Sequence, residues 1–475
     1  MPRTTACFLL VALACIASAH AEDDVSKKKA DLLFHLRVKR AIGTGARWVA
    51  RHQQKDGSFK LPDNKAGGPF AQSRHGFGVS ALCTYTLADC GYAADHPVMK
   101  KAVAYLRKRY RSYFKGDHWP QASSYSLALM VLGLHTLYAK PGSRDRQEES
   151  DRYGQRGTDK KNPCGYPKWA RQAIDRILDW FMDHQAETGL FRYPGGFNMG
   201  TRPPGGPRGG PAASHYGDED LSNTQYILLA LWAGTRCGYD LTGPQLEKIA
   251  NRLLAYQERL GEGVPRVPDP VPAAPRDKRG SRYAKPTSPG DTDDGTPKDR
   301  ARGFPYTLGA ETTGSMTTAG LSSLVIVKAM LQERGCLAPA MAAKLDKGIW
   351  DAIAWLQVNY SVRDNPGAGR RWHYYYLYGL ERACVIAAKR FLGEHDWYRE
   401  GATLLLDAQK AEGPWAPGDQ LGGFGGGPPG GVRYKTDLLD TCFALLFLKR
   451  ATITPKQPVL ESPTPVTTGG TRTGK

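Results

Sequence analysis

The sequence predicts an all-α protein built as an α/α toroid: six helix pairs in a closed ring, joined by long irregular loops. Three observations carry that expectation. Amphipathic segments alternate with segments that are apolar nearly all round and rich in small residues. A helix with one polar face lies on the outside of an assembly, and one without a polar face is covered on most sides. The alternation recurs six times between residues 40 and 450, enough to close a ring instead of leaving an open solenoid. Three amphipathic segments also end in one string, Gln-x-x-x-Gly-x-aromatic: Gln53, Gly57 and Phe59; Gln185, Gly189 and Phe191; Gln409, Gly413 and Trp415.

Each pair has a place in the chain. Residues 40–53 lead to 76–90, 96–110 to 123–138, and 167–185 to 221–234. Then 243–257 lead to 315–333, 338–359 to 374–392, and 396–409 to 436–450. In the closing string, glycine ends the helix in a left-handed cap. The glutamine side chain can bond nearby backbone groups, and the aromatic ring can pack across to the next pair. Residues 140–163, 193–217 and 411–433 are polar or Gly/Pro-rich, and 261–304 form a Pro/Arg insertion; all read as loops. The tail, 452–475, reads as disordered.

The first residues read as an export signal. Arg3 gives a positive start, 7–17 form an apolar run too short to span a bilayer, and Ala19-His20-Ala21 fits the small-x-small cleavage pattern. The alternative is an uncleaved anchor or a buried helix. Cleavage after Ala21 leaves a ring over 22–451 and places the protein outside the cell, in the periplasm or on the envelope. No later segment reads as long and apolar enough to cross a membrane. Outside the signal the cysteines are Cys83, Cys90, Cys164, Cys237, Cys336, Cys384 and Cys442. An odd number without tight spacing is not a disulfide framework, and most read as small buried hydrophobes. The net charge of +19 suits envelope polymers or anionic head groups, so association with a membrane surface is compatible with it. The basic residues are scattered and no nucleic-acid motif is present, so nucleic acid is not an expected partner.

On the three glutamine strings the chain resembles the squalene-hopene cyclase and prenyltransferase repeat superfamily. The run 372–382, Trp-His-Tyr-Tyr-Tyr-Leu-Tyr-Gly-Leu-Glu-Arg, looks like its secreted bacterial members of unknown activity. The resemblance implies a central cavity lined by the starts of the inner helices, where free N–H groups favour acids and ligand oxygens. It also implies an Asp-x-Asp-Asp acid in the cyclases. A literal copy, Asp291, Asp293 and Asp294, is flanked by turn formers and opens no apolar helix, so it reads as exposed and not catalytic. Asp218, Glu219 and Asp220 are better placed, before an inner helix, although Leu221 stands where the second adjacent acid belongs; N-capping by Asp220 or Ser222 is the competing use. Asp440-Thr441-Cys442 resembles the zinc ligands of protein prenyltransferases, but no histidine follows it and Cys442 reads as core.

The candidates for one cavity mouth are therefore Asp218, Asp220, His373 and Tyr376, with His75 and Glu311 near other inner-helix starts. Tyr375 and Glu381 share the aromatic run, whose other use is simply to fill the hub. No cofactor and no metal is implied. Three functions compete: cyclase-type chemistry on a small molecule in the cavity, carbohydrate lyase or hydrolase chemistry, and a non-catalytic ring that binds or scaffolds an envelope polymer.

Overall fold

A computed structural model describes residues 3–60, 70–115, 123–139, 164–193, 219–266, 298–415 and 437–450; for 3–25, 27, 70–76, 123 and 298 it describes the backbone alone. The predicted alternation appears as helices. The outer type comprises α1 (Arg3–Arg51), α3 (Pro97–Tyr113), α5 (Lys168–Asp183), α7 (Gly243–Tyr256), α9 (Pro339–Val358) and α11 (Trp397–Ala408). The inner type comprises α2 (Phe70–Asp89), α4 (Ser123–Tyr138), α6 (Leu221–Arg236), α8 (Gly314–Glu333), α10 (His373–Ile386) and α12 (Asp437–Lys449). Outer helices bury a stripe: α7 buries Leu246, Ile249, Ala250, Leu253 and Tyr256 at helical spacing. Inner helices are covered all round, as α6 is from Leu221 to Gly234 and α8 from Gly314 to Leu331.

Inner helices pack in the order α2 on α4, α4 on α6, α6 on α8, α8 on α10 and α10 on α12, and α12 packs on α2. Among outer helices, α1 touches both α11 and α12. Helix α8 is long and apolar enough to cross a membrane by length and composition, which the sequence reading did not anticipate. Its mean hydropathy reaches 1.3, and the whole of that window is buried among other helices. Helix α1 also departs from expectation, running upstream of residue 40 through the predicted export signal.

The glutamine strings act as clamps. Gln53 Nε2 donates to the carbonyls of Gly57 and, at 2.8 Å, of Val98 at the start of α3. Gln409 Nε2 donates to the carbonyls of Gly413, at 2.8 Å, and of Ala41 in α1, at 3.0 Å. Gln185 Nε2 bonds the Gly189 carbonyl. Gly57, Gly189 and Gly413 have φ of 87°, 120° and 113°, and a Cβ at each would strike the backbone of the next outer helix. The aromatic residue then donates its N–H to a hydroxyl on the following inner helix: Phe59 to Ser80, Phe191 to Thr224 and Trp415 to Thr441.

A fourth copy is split by the insertion. Gln257 Nε2 donates to the carbonyls of Arg302 and of Gly348 in α9, and Phe304 N–H donates to Thr317 in α8. The insertion returns the chain to the position it would have reached directly. Its two ends pair as a short antiparallel ribbon, β1 (Gly263–Pro265) with β2 (Lys298–Arg300), where only loop was expected. Asp351, buried in α9, holds this ribbon through Arg300 N–H and the Arg302 guanidinium.

The cysteines need a correction. Cys164 and Cys237 form a disulfide across 73 residues, joining the approach to α5 with the end of α6. Sequence spacing gave no sign of it, because only the packing of α5 on α6 brings the two together. Cys83, Cys384 and Cys442 are buried thiols as expected, whereas Cys336 is exposed.

The clamps predict an asymmetric response to mutation. Gln409→Leu strands the Gly413 carbonyl and removes the tie to the Ala41 carbonyl of α1, and is expected to cost about 1–3 kcal/mol in denaturant titration. Gln54→Ala, at an exposed neighbour of a clamp, is expected to change stability by no more than about 0.5 kcal/mol.

Candidate functional site

The start of α6 is held by a set of buried side chains. Asp220 is its N-cap and is 2% exposed. Its Oδ1 accepts from Asn223 N–H at 2.7 Å and its Oδ2 from Asn223 Nδ2 at 2.6 Å. Asp220 N–H donates to the Phe191 carbonyl, and Leu221 N–H to the Tyr306 carbonyl. The neighbouring acid is spent on structure: Glu219 takes Leu190 N–H, the Thr188 hydroxyl and the Arg252 guanidinium. Burial pushes the Asp220 carboxyl up to about 7, against the pull of its bonds to Asn223 and to the Tyr306 hydroxyl.

From Asp220 a chain of side-chain hydrogen bonds runs between the inner helices. Asp220 bonds Tyr306, Tyr306 bonds Tyr193, and Tyr193 bonds Tyr125. Tyr125 donates to Ser222 Oγ at 2.7 Å, and Ser222 Oγ lies 3.0 Å from the Tyr375 hydroxyl. Gln225 Nε2 donates to that same hydroxyl, and Arg382 Nη2 donates to Gln225 Oε1 at 2.7 Å. The members come from α4, α6, α10 and the segments before α6 and α8. Tyr125, Tyr193, Tyr306 and Tyr375 are half-buried, so the middle of the chain is less enclosed than its two ends.

The rings form one aromatic lining. Tyr125 meets Tyr226 edge-on at 5.3 Å, Tyr226 stacks on Tyr375 at 6.3 Å, and Tyr375 meets Phe443 of α12 at 5.7 Å. Tyr378 stacks on Phe443 and its hydroxyl lies 3.2 Å from that of Tyr85. Burial pushes the tyrosine hydroxyls upward, Tyr193 to about 12 and Tyr306 and Tyr375 further. They stay protonated near neutrality and act as hydrogen-bonding groups. Among the described residues of this lining, Asp220 is a carboxyl that burial pushes toward neutrality.

The predicted residues divide. Asp220 is at the site, while Asp218 lies outside the described residues, as do Asp291, Asp293 and Asp294. His373 and Tyr376 belong to a different neighbourhood. His373 Nε2 lies 2.8 Å from the Val362 carbonyl, and Tyr376 donates to the Ser361 carbonyl at 2.9 Å. Both tie the start of α10 to the segment that precedes it, and burial lowers the His373 pKa. The α10 residues that reach the Asp220 chain are Tyr375 and Arg382, with Tyr378 beside them. A helix carries positions 375, 378 and 382 on one face, and that face was the signal available in the sequence. Glu311 is exposed, and the side chain of His75 lies outside the described residues. Tyr193 and Tyr306 were missed because they sit in irregular segments that have no periodicity to read. Asp440 and Cys442 are buried. Among the described residues, His135, Cys164 and Cys237 bring three ligand-type atoms within 4.8 Å of one another, but the disulfide occupies both thiols.

No family model matches the chain, and no curated protein matches it. Solved structures similar in fold include type II terpene cyclase MstE from Scytonema in complex with geranylgeranyl dihydroxybenzoate, at 10% identity over 88% of this chain and 98% of that one, TM-score 0.46. Another is the same cyclase in complex with merosterolic acid A, at 12% identity over 90% and 99%, TM-score 0.46.

The raised carboxyl pKa has a thermodynamic consequence. Because the folded value lies above the unfolded one, the contribution of Asp220 to stability is complete below about pH 4 and is lost as pH rises through about 7. Asp220→Asn retains an acceptor for Asn223 N–H and cannot ionise. It should therefore gain on the wild type, by up to a few kcal/mol, as pH is raised from about 4 to 8. Denaturation midpoints across that range measure this, and parallel pH profiles would contradict it.

Proposed function

We propose that this chain is an exported ring of six helix pairs that binds a small organic molecule where its inner helices begin, and transfers a proton to it from Asp220. The observation that carries the reading is the buried Asp220 carboxyl, which holds its proton near neutrality at one end of a half-buried tyrosine lining. The order of inner-helix contacts, α2 through α12 and back to α2, supports the ring. Export rests on the N-terminal sequence and agrees with the Cys164–Cys237 disulfide. Exposed Leu32, Leu33 and Leu36, set among Lys28, Lys29, Arg37, Lys39 and Arg40, support contact with an anionic membrane surface.

The chemistry is general-acid catalysis. A carboxyl that keeps its proton to about pH 7 suits transfer to oxygen, as in opening an epoxide or ether, better than transfer to a bare alkene, which asks for a stronger acid. Cyclase-type chemistry begun at an oxygen function fits these groups. A reaction on a sugar draws on the same ones, with aromatic faces for the ring and tyrosine hydroxyls for its oxygens.

The test is to equilibrate the mature protein with a small-molecule extract of the producing cells and follow bound and converted species by mass spectrometry. The wild type should enrich at least one compound and convert it to an isomer or hydrate. Asp220→Asn should retain the compound and lose at least about a hundredfold in conversion. No enrichment, or conversion indifferent to this substitution, refutes the proposal.

A further inference from the structure

At the far end of the hydrogen-bonded chain stands a charge without a counter-charge. Arg382 is 1% exposed, and a guanidinium stays protonated even when buried. Among the described residues it forms no ion pair. Its Nη2 reaches Gln225 and the guanidinium also bonds the Tyr226 hydroxyl, while Nε and Nη1 have no hydrogen-bond acceptor. Its carbon centre lies 4.2 Å from the Tyr378 ring centroid and 5.0 Å from that of Tyr226. Ring faces offset part of the cost of desolvating a cation but offer its N–H groups no hydrogen-bond acceptor.

The contrast with the other buried arginine partners is informative. Arg302 is paired with Asp351, Arg252 with Glu219 and Arg266 with Asp299, and all three are more exposed than Arg382. The most deeply buried of these guanidinium groups is the one left unpaired. It also sits one glutamine away from the half-buried Tyr375, and each of its two unpaired nitrogens can donate a charge-assisted hydrogen bond to a carboxylate oxygen.

We infer that the hub ligand carries a carboxylate, which accepts a hydrogen bond from the unpaired guanidinium of Arg382 while the body of the molecule lies against Tyr226, Tyr375 and Phe443. This rests on the hub being a ligand site, as proposed above, and adds the chemical class of the ligand. Arg382 is then the specificity residue and Asp220, at the opposite end of the chain, the proton-transferring one. Gln225 is a positioning residue: its amide bonds both Arg382 and Tyr375, so it fixes the guanidinium plane relative to the aromatic wall.

The experiment is calorimetric titration of the full mature chain with three carboxylates and their neutral counterparts: benzoate against benzamide, dodecanoate against dodecanol, and glucuronate against glucose. The pairs separate the anionic group from an aromatic, alkyl or sugar body. At least one carboxylate should bind about tenfold or more tightly than its neutral partner. Arg382→Gln should abolish that preference while leaving the neutral partner unchanged, and Arg382→Lys should retain part of it. The wild-type comparison decides even if a variant fails to fold. Equal binding within every pair, or a preference that survives in folded Arg382→Gln, overturns the carboxylate inference and leaves the hub site standing. Binding of none of the six overturns both.

Discussion

Each outer helix must hand the chain to an inner helix through a turn whose carbonyls face protein, and one glutamine amide meets that constraint at four places. Its NH2 group carries two hydrogens, so a single side chain can bond its own turn and a neighbouring outer helix. Gln53, Gln257 and Gln409 do both. Each such bond contributes only about 1 kcal/mol, but a stranded buried carbonyl costs more than that, so exchange for an apolar residue is unfavourable. Turn geometry follows. With the turn fixed, the aromatic N–H lands on a hydroxyl of the next inner helix, and Thr224, Thr317 and Thr441 lie at or just past the first turn of theirs.

That placement connects architecture to site. Thr224 stands beside Asn223, so the clamp that seats Phe191 also seats the residue that holds both oxygens of Asp220. Glu219 reinforces it from outside by joining the turn at Thr188 and Leu190 to Arg252 of α7. Two acids that are adjacent in sequence thus do different work. Glu219 is ionically paired and structural; Asp220 has only neutral partners, so burial dominates its proton affinity.

Most of the architecture was legible because it is periodic. The twelve helices among the described residues follow from one-faced and all-round apolar segments, and the three intact glutamine strings marked the turns. The fourth string could not be seen, because the insertion puts Gln257 and Phe304 far apart in sequence while the structure restores their spacing. The site was half legible. A helix-start argument located Asp220, but it drew attention to His373 and Tyr376 because they too begin a helix. The first residues of α10 serve to anchor it to Ser361 and Val362; its hub face emerges one position later, at Tyr375, and continues through Tyr378 to Arg382. Tyr193 and Tyr306 depend on where two irregular segments come to rest, which no local pattern encodes. The disulfide has the same origin, since α5 must dock on α6 before Cys164 meets Cys237.

The polarity of the hub bears on what can occupy it. A hydrocarbon pressed against Tyr125, Tyr193, Tyr306 and Tyr375 would keep water from four hydroxyls and offer them nothing, and buried groups left short of partners are costly. The chain softens that cost by letting the hydroxyls bond one another, so they form a string instead of four separate demands. It does so at a geometric expense: Ser222, Gln225 and Arg382 must hold their rotamers for the string to remain continuous. A ligand with an oxygen function near Asp220 and an anionic group near Arg382 engages both ends without breaking the middle. In that reading the tyrosines are the wall along which such a molecule is aligned, and the acid and the cation fix which way round it lies.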